Sequence, residues 1–427
     1  MAKFIYSDNT DEFATKIISW LKKKQPHTFL LLYSGLNSKA PPPNNKKLLL
    51  GVSFNKPASI NQLESITPNN GDIPLLGYLS YELKNQFEKL KSTGSKISNG
   101  EQISFFKPDY YLEINSNNEI RTTSEKTFLE INAPTNHLII SKNDKNNCEV
   151  EFNKDVSDED YLSNIELIKE NIKNGSVYEL NYCRKFEAKV SIDPYSVFAL
   201  QMSNNQSPYS FLFKNDIEFV ISGSMERFLC KKGNKLISQP IKGTLKNKNQ
   251  NIAKEQKQLL NDAKERAENL MIVDLVRNDL SKCSITGSVK VQELFGIYSY
   301  PSVHQMISSV SSRVKAETSF SEIIQSLFPM GSMTGAPKIS AMKTIDDLET
   351  FQRGLFSGAF GYIMPNGDFD LNVVIRSIFY NSKSHLINIP VGSAITIDSN
   401  GEQELNECNH KIDYLKKLIS NCRLDSN

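Results

Sequence analysis

The 427-residue sequence has little of what membrane, nucleic-acid-binding and secreted proteins need. No apolar run reaches 18 residues, which argues against a membrane-spanning helix. Lys and Arg number 50 against 48 Asp and Glu, and the resulting net charge of +2 argues against a dedicated nucleic-acid binder. The first residues, MAKFIYSDNTDEF, lack a basic region followed by an apolar core. We therefore expect no secretory signal and a cytoplasmic location.

Metal-binding patterns built from cysteine and histidine are also missing. The six cysteines include no C-x-x-C pair, and the five histidines form neither H-x-H nor H-x-x-x-H. A zinc site is therefore not expected, and the scattered thiols should stay reduced. A metal bound by this chain should have carboxylate ligands, which favours Mg²⁺.

The remaining composition, 39% hydrophobic and 23% charged, is typical of a globular protein. The polar stretch 141–148 suggests a boundary between an N-terminal part, 1–145, and a larger part, 150–427. Ser157 followed by Asp160 predicts a helix start, and 251–282 predicts one long helix. Predicted strands come in blocks, which favours an α+β fold. They lie near 183–190, 209–213, 218–221, 227–231, 358–364, 370–379 and 393–397, before a final helix from about Glu402.

Two E-x-x-E motifs are the first candidate for chemistry. Glu265 and Glu268 lie in the long helix, and Glu404 and Glu407 lie in the last one. Residues at i and i+3 share one helical face, so the two helices can bring four carboxylates together. Mg²⁺ would relieve their repulsion. Each motif alone is more typical of a solvated helix face.

Two segments with glycine are further candidates. In Gly331–Lys338, GSMTGAPK, a turn precedes a helix whose first N–H groups can bind an anion, although such turns are often only structural. In PIKGT, Lys242 follows apolar residues. Desolvation would lower the pKa of its amine and make it nucleophilic, whereas a solvated loop lysine would be inert.

Four single residues carry weaker signals, each with a structural alternative. Glu226 and Arg376 can be ordinary charged residues, His304 can be a core histidine, and Lys411 can pair with Glu407 one turn away.

In their order along the chain, these motifs closely resemble the chorismate-binding enzymes over about residues 155–427. The matching segments are SMERF, PIKGT, KERAENLMIVDLVRNDL, VHQM, FPMGSMTGAPK, GAFGYI, NVVIRS and DS…ELNECNHK. The family includes the large subunits of anthranilate synthase and aminodeoxychorismate synthase, and isochorismate and salicylate synthases. The resemblance implies a large α+β unit of two packed β-sheets flanked by helices, with 1–145 as its divergent N-terminal part.

The resemblance also implies roles for individual residues. Glu268 and Glu407 match magnesium ligands, and Glu265 and Glu404 match carboxylates that support them through water. Glu226 matches a general acid/base for the departing hydroxyl, and His304 and Thr334 match residues beside the substrate ring. The implied substrate-binding set is Gly243, Thr244, Tyr362, Arg376, Gly392 and Lys411.

Lys242 discriminates within the family. Most members carry alanine at this position, whereas PIKGT is similar to component I of aminodeoxychorismate synthase. In that subfamily the lysine attacks ring carbon C2 as the C4 hydroxyl leaves, and ammonia then attacks C4 and expels the lysine from C2. The implied product is 4-amino-4-deoxychorismate, a precursor of 4-aminobenzoate and folate. The alternatives are anthranilate synthase component I and a non-catalytic subunit that keeps the fold.

The nitrogen source is expected to lie outside this chain. No cysteine occurs in a G-x-C-x-G setting typical of a triad glutaminase, so we expect a separate glutamine amidotransferase subunit that delivers ammonia. Three further segments bear on the family pattern. PVGS, Pro390–Ser393, keeps only one glycine of the run usual there, and LLLYS and SPYSF resemble the two halves of a tryptophan pocket.

Overall fold

The computed structural model describes residues 1–5, 10–34, 46–98, 100–133, 150–204, 207–248 and 250–424. The expected boundary at 141–148 lies outside these ranges. The helices are α1 Thr10–Lys24, α2 Lys84–Glu88, α3 Glu125–Asn132, α4 Asp158–Lys173, α5 Pro194–Asn204, α6 Ile252–Asn261, α7 Ala263–Cys283, α8 Phe320–Leu327, α9 Lys338–Leu348 and α10 Gly401–Asn421. Short 3₁₀ helices span Leu63–Ser65, Tyr81–Leu83 and Gly331–Met333.

The described ranges contain 24 strands. The first ten are β1 Ala2–Ile5, β2 Thr28–Tyr33, β3 Lys46–Ser53, β4 Ser59–Ile60, β5 Leu75–Leu79, β6 Ser95–Lys96, β7 Ile103–Phe106, β8 Tyr110–Asn115, β9 Glu119–Thr122 and β10 Asn153–Lys154. The next seven are β11 Glu179–Lys189, β12 Tyr209–Asn215, β13 Glu218–Ser224, β14 Arg227–Lys232, β15 Lys235–Gln239, β16 Ile241–Lys246 and β17 Lys290–Ser299. The last seven are β18 Val303–Arg313, β19 Gly335–Ala336, β20 Phe351–Gln352, β21 Ala359–Ile363, β22 Phe369–Val373, β23 Ser377–Asn381 and β24 Leu386–Ile395.

Two large antiparallel sheets form the frame, so the expected α+β class is confirmed. The first has the order β1-β9-β8-β3-β2-β12-β13-β23-β24-β11-β10, with β19 beside β11. The second has the order β16-β18-β15-β14-β22-β21-β5-β7-β4, with β17 beside β18. Strands from the N-terminal part and from the larger part of the chain pair with each other in each sheet, for example β2 with β12 and β5 with β21.

The layers follow from the alternation of side chains along each strand. On β2, Phe29, Leu31 and Tyr33 enter the core shared with α1, α4, α5 and α10, whereas Leu30 enters the core between the sheets. The first sheet therefore has helices on one face and the second sheet on the other, and its strands are apolar on both faces.

Helix boundaries follow capping residues. The expected start at Ser157 is confirmed, because its hydroxyl accepts a hydrogen bond from the Asp160 N–H at 3.0 Å. The single helix expected over 251–282 is wrong. Asp262 has an extended backbone, and its carboxylate accepts from the Glu265 N–H at 3.1 Å, so α6 ends and α7 begins there. None of the helices in the described ranges is long and apolar enough to cross a membrane.

Candidate active site

A cavity of about 470 Å³ opens where β16 and α7 of one sheet region face β24 and α10 of the other. It brings together eleven of the fourteen residues singled out in the sequence. These are Glu226, Lys242, Gly243, Thr244, Glu265, Glu268, Arg376, Gly392, Glu404, Glu407 and Lys411.

The four glutamates of the E-x-x-E motifs line this cavity from two helices. Burial and the charge of Glu268 raise the pKa of Glu265 to about 7, and burial also raises the pKa of Glu268. Burial opposes ionisation of Glu407 as well, but Lys411 at 2.5 Å lowers its pKa. Carboxylates arranged in this way repel one another, and a cation between the helices would relieve that repulsion.

The donor set suits Mg²⁺, which prefers carboxylate oxygens together with water. Glu268 and Glu407 are the ligands that the sequence predicts, and each now has a lysine partner, Lys264 at 3.8 Å and Lys411 at 2.5 Å. Within the described residues, no three His, Cys, Asp or Glu side chains are gathered closely enough to hold a metal. The helices thus supply ligands of the right kind, each paired with a lysine four residues away on its own helix.

Glu226 lies deep in the cavity wall and is only 5% exposed. Its Oε1 accepts a hydrogen bond from the Ser332 hydroxyl at 2.6 Å. Burial raises the pKa of Glu226 to about 7, although Ser332 and the Lys242 charge oppose the shift. A carboxyl group with this pKa can both give and take a proton near neutral pH.

The raised pKa of Glu226 predicts a pH-dependent gain in stability for Glu226→Gln. The folded state holds this proton more tightly than the unfolded one, so stability is lost as pH rises from about 4.5 through about 7. Between pH 4.5 and pH 8 the wild type should therefore lose roughly 2–3 kcal/mol of unfolding free energy that the variant keeps. Denaturant unfolding at both pH values measures it, with the exposed Glu170→Gln as control. Parallel pH dependences for Glu226→Gln and the wild type would contradict the prediction.

Lys242 points into the cavity from β16, and its side chain is only 10% exposed. The expectation that desolvation lowers its pKa is wrong. Burial acts in that direction, but the Glu179 carboxylate, 2.5 Å from Nζ, and the nearby Glu268 and Glu226 raise the pKa above its ordinary value. Lys242 is therefore an ammonium ion in the free protein.

Arg376 and Lys411 supply the other positive charges. Arg376 sits between β22 and β23 with a left-handed backbone, φ +52°, where a non-glycine residue is uncommon. Its carbonyl accepts from the Gly223 N–H at 3.1 Å, and no hydrogen bond from its guanidinium is found in the described part of the chain. Lys411 donates to the Gly392 carbonyl at 2.8 Å as well as pairing with Glu407. The Arg376 guanidinium is therefore available to a carboxylate of a ligand, whereas the Lys411 ammonium has one N–H left for it.

Two glycines let the backbone form the cavity wall. Gly243 has φ +99°, which strongly favours glycine, and lies beside Glu265. A Cβ atom at Gly392 would lie 2.4 Å from the Cys183 sulfur and 2.6 Å from Asn181 Oδ1. Gly392 is thus required by close packing of β24 on β11, whatever the ligand.

His304 does not lie in the cavity, contrary to expectation. It is fully buried on β18, with Nδ1 2.7 Å from the Ser299 hydroxyl and Nε2 3.0 Å from the Glu255 carboxylate. Its neighbour Gln305 lines the cavity instead, because adjacent side chains on a strand point to opposite faces. His304 is the core histidine of the alternative interpretation.

Thr334 and Tyr362 also lie outside the cavity lining. The Thr334 hydroxyl donates to the Met330 carbonyl at 3.1 Å, so it stabilises the turn. Tyr362 lines a second cavity of about 50 Å³. Ser332 and Phe356 line the main cavity and were missed. Ser332 sits in the GSMTGAPK segment already singled out, whereas Phe356 had no polar group to draw attention.

The second cavity lies between the two sheets, where β2 and β12 face β21 and β22. The segments LLLYS and SPYSF meet there, through Tyr33 and Ser34 on one side and Pro208 and Tyr209 on the other. Asp370 also lines it and pairs with Arg227 at 2.9 Å. The two segments that resemble halves of a tryptophan pocket are thus neighbours in space.

The arrangement of carboxylates, cations and Lys242 agrees with comparisons to known proteins. Residues 26–417 match the chorismate binding enzyme family. The chain belongs to this family. This chorismate-binding enzyme is 30% identical over 360 residues to aminodeoxychorismate synthase component 1 of Escherichia coli, covering 82% of this chain and 79% of that protein. It is also 30% identical over 348 residues to anthranilate synthase component 1 of Saccharolobus solfataricus, covering 81% and 80%.

Solved structures confirm the fold of this chorismate-binding enzyme. Anthranilate synthase component I from Streptococcus pneumoniae superposes with a TM-score of 0.74 at 20% identity, covering 97% of this chain and 92% of that one. The menaquinone-specific isochorismate synthase from Escherichia coli gives a TM-score of 0.73 at 15% identity, covering 98% and 94%. The 470 Å³ cavity, with its cations facing acidic helices, therefore belongs to an enzyme that uses chorismate.

Proposed function

We propose that this chain is component I of an aminodeoxychorismate synthase, which replaces the C4 hydroxyl of chorismate with an amino group. The observation that carries the proposal is Lys242, whose nearly buried amine lines the same cavity as Glu226 and Arg376. A lysine amine in that place can form a bond to the substrate ring and leave again, which divides one difficult displacement into two easier ones.

The other residues of the cavity suit the remaining needs of this reaction. Chorismate is a dianion, and Arg376, Lys411, Thr244 and the backbone at Gly243 and Gly392 provide contacts for its carboxylates. Glu268 and Glu407, supported by Glu265 and Glu404, would hold Mg²⁺. Bound there, the metal would supply charge stabilisation to the ring carboxylate as electrons shift.

Glu226 is proposed to handle the proton of the departing hydroxyl. With its pKa near 7, a large fraction of the enzyme carries the neutral acid at physiological pH. It protonates the C4 oxygen as the bond to carbon breaks. The resulting carboxylate can then take a proton from the incoming ammonia, which restores the acid for the next turnover.

Component I of anthranilate synthase is the alternative, because a relative of that name has the same identity to this chain. The deciding experiment gives the purified protein chorismate, Mg²⁺ and ammonium and identifies the product by chromatography and mass spectrometry. Formation of 4-amino-4-deoxychorismate with no anthranilate supports the proposal. Anthranilate with release of pyruvate would replace it with the alternative.

The nitrogen source gives a further prediction. This chain should use ammonium, better at elevated pH where more NH₃ is present, and should not use glutamine by itself. In the described residues, Cys183, Cys230, Cys283, Cys408 and Cys422 are free thiols. Burial raises the pKa of Cys183 and Cys408, which makes both poor nucleophiles.

The test supplies chorismate, Mg²⁺ and glutamine to the chain alone and compares the rate with that on ammonium. A rate on glutamine equal to that on ammonium would show that no glutaminase partner is needed. We propose that a glutamine amidotransferase subunit supplies ammonia in the cytoplasm, where free thiols stay reduced. A later lyase reaction would release pyruvate to give 4-aminobenzoate for folate.

A further inference from the structure

The partner of Lys242 is the feature that the proposed function does not yet use. Nζ of Lys242 donates to Glu179 Oε1 at 2.5 Å, and the two side chains are 10% and 4% exposed. Within the described residues, Lys242 forms an ion pair with no other carboxylate. Glu226, Glu268 and Glu407 also act on the amine, through charge alone.

Glu179 is held on a rigid element. It is the first residue of β11, its backbone pairs with Ala336 of β19, and the preceding Tyr178 N–H donates to the Ala336 carbonyl at 2.6 Å. The carboxylate is not among the residues that line the cavity, so it lies behind the amine. It therefore fixes Nζ at the cavity wall and leaves the opposite side of the amine open to a ligand.

An ammonium ion has no lone pair, so Lys242 must lose a proton before it can attack a carbon atom. The paired oxygen of Glu179 is the nearest acceptor, at hydrogen-bond distance. Glu226 is unsuited to this step because it already accepts from Ser332 and its proton is required by the departing hydroxyl. The two buried glutamates thus have separate tasks.

We propose that Glu179 positions Lys242 and takes the proton that its amine must lose. This inference rests on the proposed amination of chorismate. The proton moves from Nζ to Oε1, and the Nζ lone pair forms a bond to ring carbon C2. The two ring double bonds shift, the C4–O bond breaks, and water leaves with the proton of Glu226. Ammonia then bonds to C4, the double bonds return, and the C2–N bond breaks. Lys242 departs as an amine and recovers its proton from Glu179.

The test compares Glu179→Gln, which keeps shape and a hydrogen-bond acceptor but cannot hold a proton, with Glu179→Asp, which keeps the acid. Glu187→Gln on the same strand also removes the carboxylate partner of a buried lysine, Lys185, but away from the cavity, and is the matched control. For ammonium-dependent amination at pH 7.5, we expect kcat of Glu179→Gln to fall on the order of 10²-fold with little change in KM. Glu179→Asp should recover part of this loss.

A pH series separates this role from a structural one. The ratio of the Glu179→Gln to the wild-type kcat should rise between pH 7 and 9.5, because solvent then removes the proton that Glu179 no longer takes. The pH also changes the concentration of NH₃ and the ionisation of Glu226, but both effects act on the two proteins alike and cancel in the ratio. A ratio that stays constant with pH, or a kcat equal to that of the wild type, overturns the inference.

A measurement without substrate keeps this inference distinct from the proposed function. Acetic anhydride labels neutral amines, and mass spectrometry gives the rate at Lys242 relative to the exposed Lys246 on the same strand. At pH 9 this ratio should rise about tenfold or more in Glu179→Gln, because an opposite charge at this distance shifts a pKa by roughly 1–3 units. An unchanged ratio overturns the inference whatever the product. Anthranilate as the wild-type product, with the labelling ratio shifted, overturns the proposed amination instead.

Discussion

Lys242→Ala is expected to abolish the covalent adduct between the enzyme and the substrate ring. Without the amine, ammonia must displace the C4 hydroxyl in one step. Loss of a nucleophile that acts as part of a unit should lower kcat for amination on the order of 10²-fold or more. The product can also shift toward that of the relatives with alanine in this motif. The control is Lys246→Ala, which changes an exposed lysine four residues further along β16 and should keep wild-type activity.

The measurement is mass spectrometry of a reaction that is trapped and digested. Wild-type protein should show a gain of mass on the peptide that contains Lys242, and the variant should not. Absence of any such gain in the wild type would count decisively against covalent catalysis.

Stability has to be controlled in this experiment. Removing Lys242 leaves the Glu179 carboxylate buried without its partner, which typically costs roughly 3–5 kcal/mol. The double variant Lys242→Ala/Glu179→Gln removes the charge along with the amine and should recover much of the lost stability. If the double variant folds like the wild type and still aminates at a wild-type rate, Lys242 is not the nucleophile.

Most of the residues that the motifs singled out line the cavity, because helical and turn positions constrain where a side chain points. Glu265 and Glu268, one turn apart, share a face whatever the tertiary structure. The same holds for Glu404 and Glu407. The sequence could not show that Lys242 would be paired, because Glu179 lies 63 residues away and meets it only in the folded sheet.

The prediction for His304 was wrong because successive residues of a strand alternate between two faces. His304 and Gln305 are adjacent on β18, and a shift of one residue exchanges the cavity face for the buried face. The register is set by pairing with β16 and β17, in which His304 lies opposite Leu245 and Ser299. A histidine is the more obvious functional residue, and its hydrogen bonds to Ser299 and Glu255 could not be inferred from spacing.

A similar ambiguity affected the segment 370–379, expected as one strand. The extended strand is interrupted between β22 and β23. At this interruption Arg376 adopts its left-handed backbone and lines the cavity. Apolar patterning continues through Val374 and Ile375, so periodicity gave no sign of the interruption. The NVVIRS motif identified Arg376 as a candidate site residue, but only the structure shows its left-handed backbone.

The second large effect is expected from Glu268→Gln and Glu407→Gln, each of which removes one proposed magnesium ligand while keeping its size. A bound metal supplies several kcal/mol of charge stabilisation, so either variant should lose activity on the order of 10²-fold or more. Glu265→Gln and Glu404→Gln should weaken Mg²⁺ binding less, by ~10–100-fold, because such carboxylates support the ligands and do not replace them.

Calorimetric titration with Mg²⁺ measures affinity separately from turnover, and thermal unfolding checks that each variant keeps its fold. Glu402→Gln is the matched control, since Glu402 is exposed on the same helix as Glu407 and does not line the cavity. In Glu407→Gln, Lys411 loses its ion-pair partner at 2.5 Å but keeps its hydrogen bond to the Gly392 carbonyl. A fall in activity with unchanged Mg²⁺ affinity in both Glu268→Gln and Glu407→Gln would show that these carboxylates serve the substrate and not a metal.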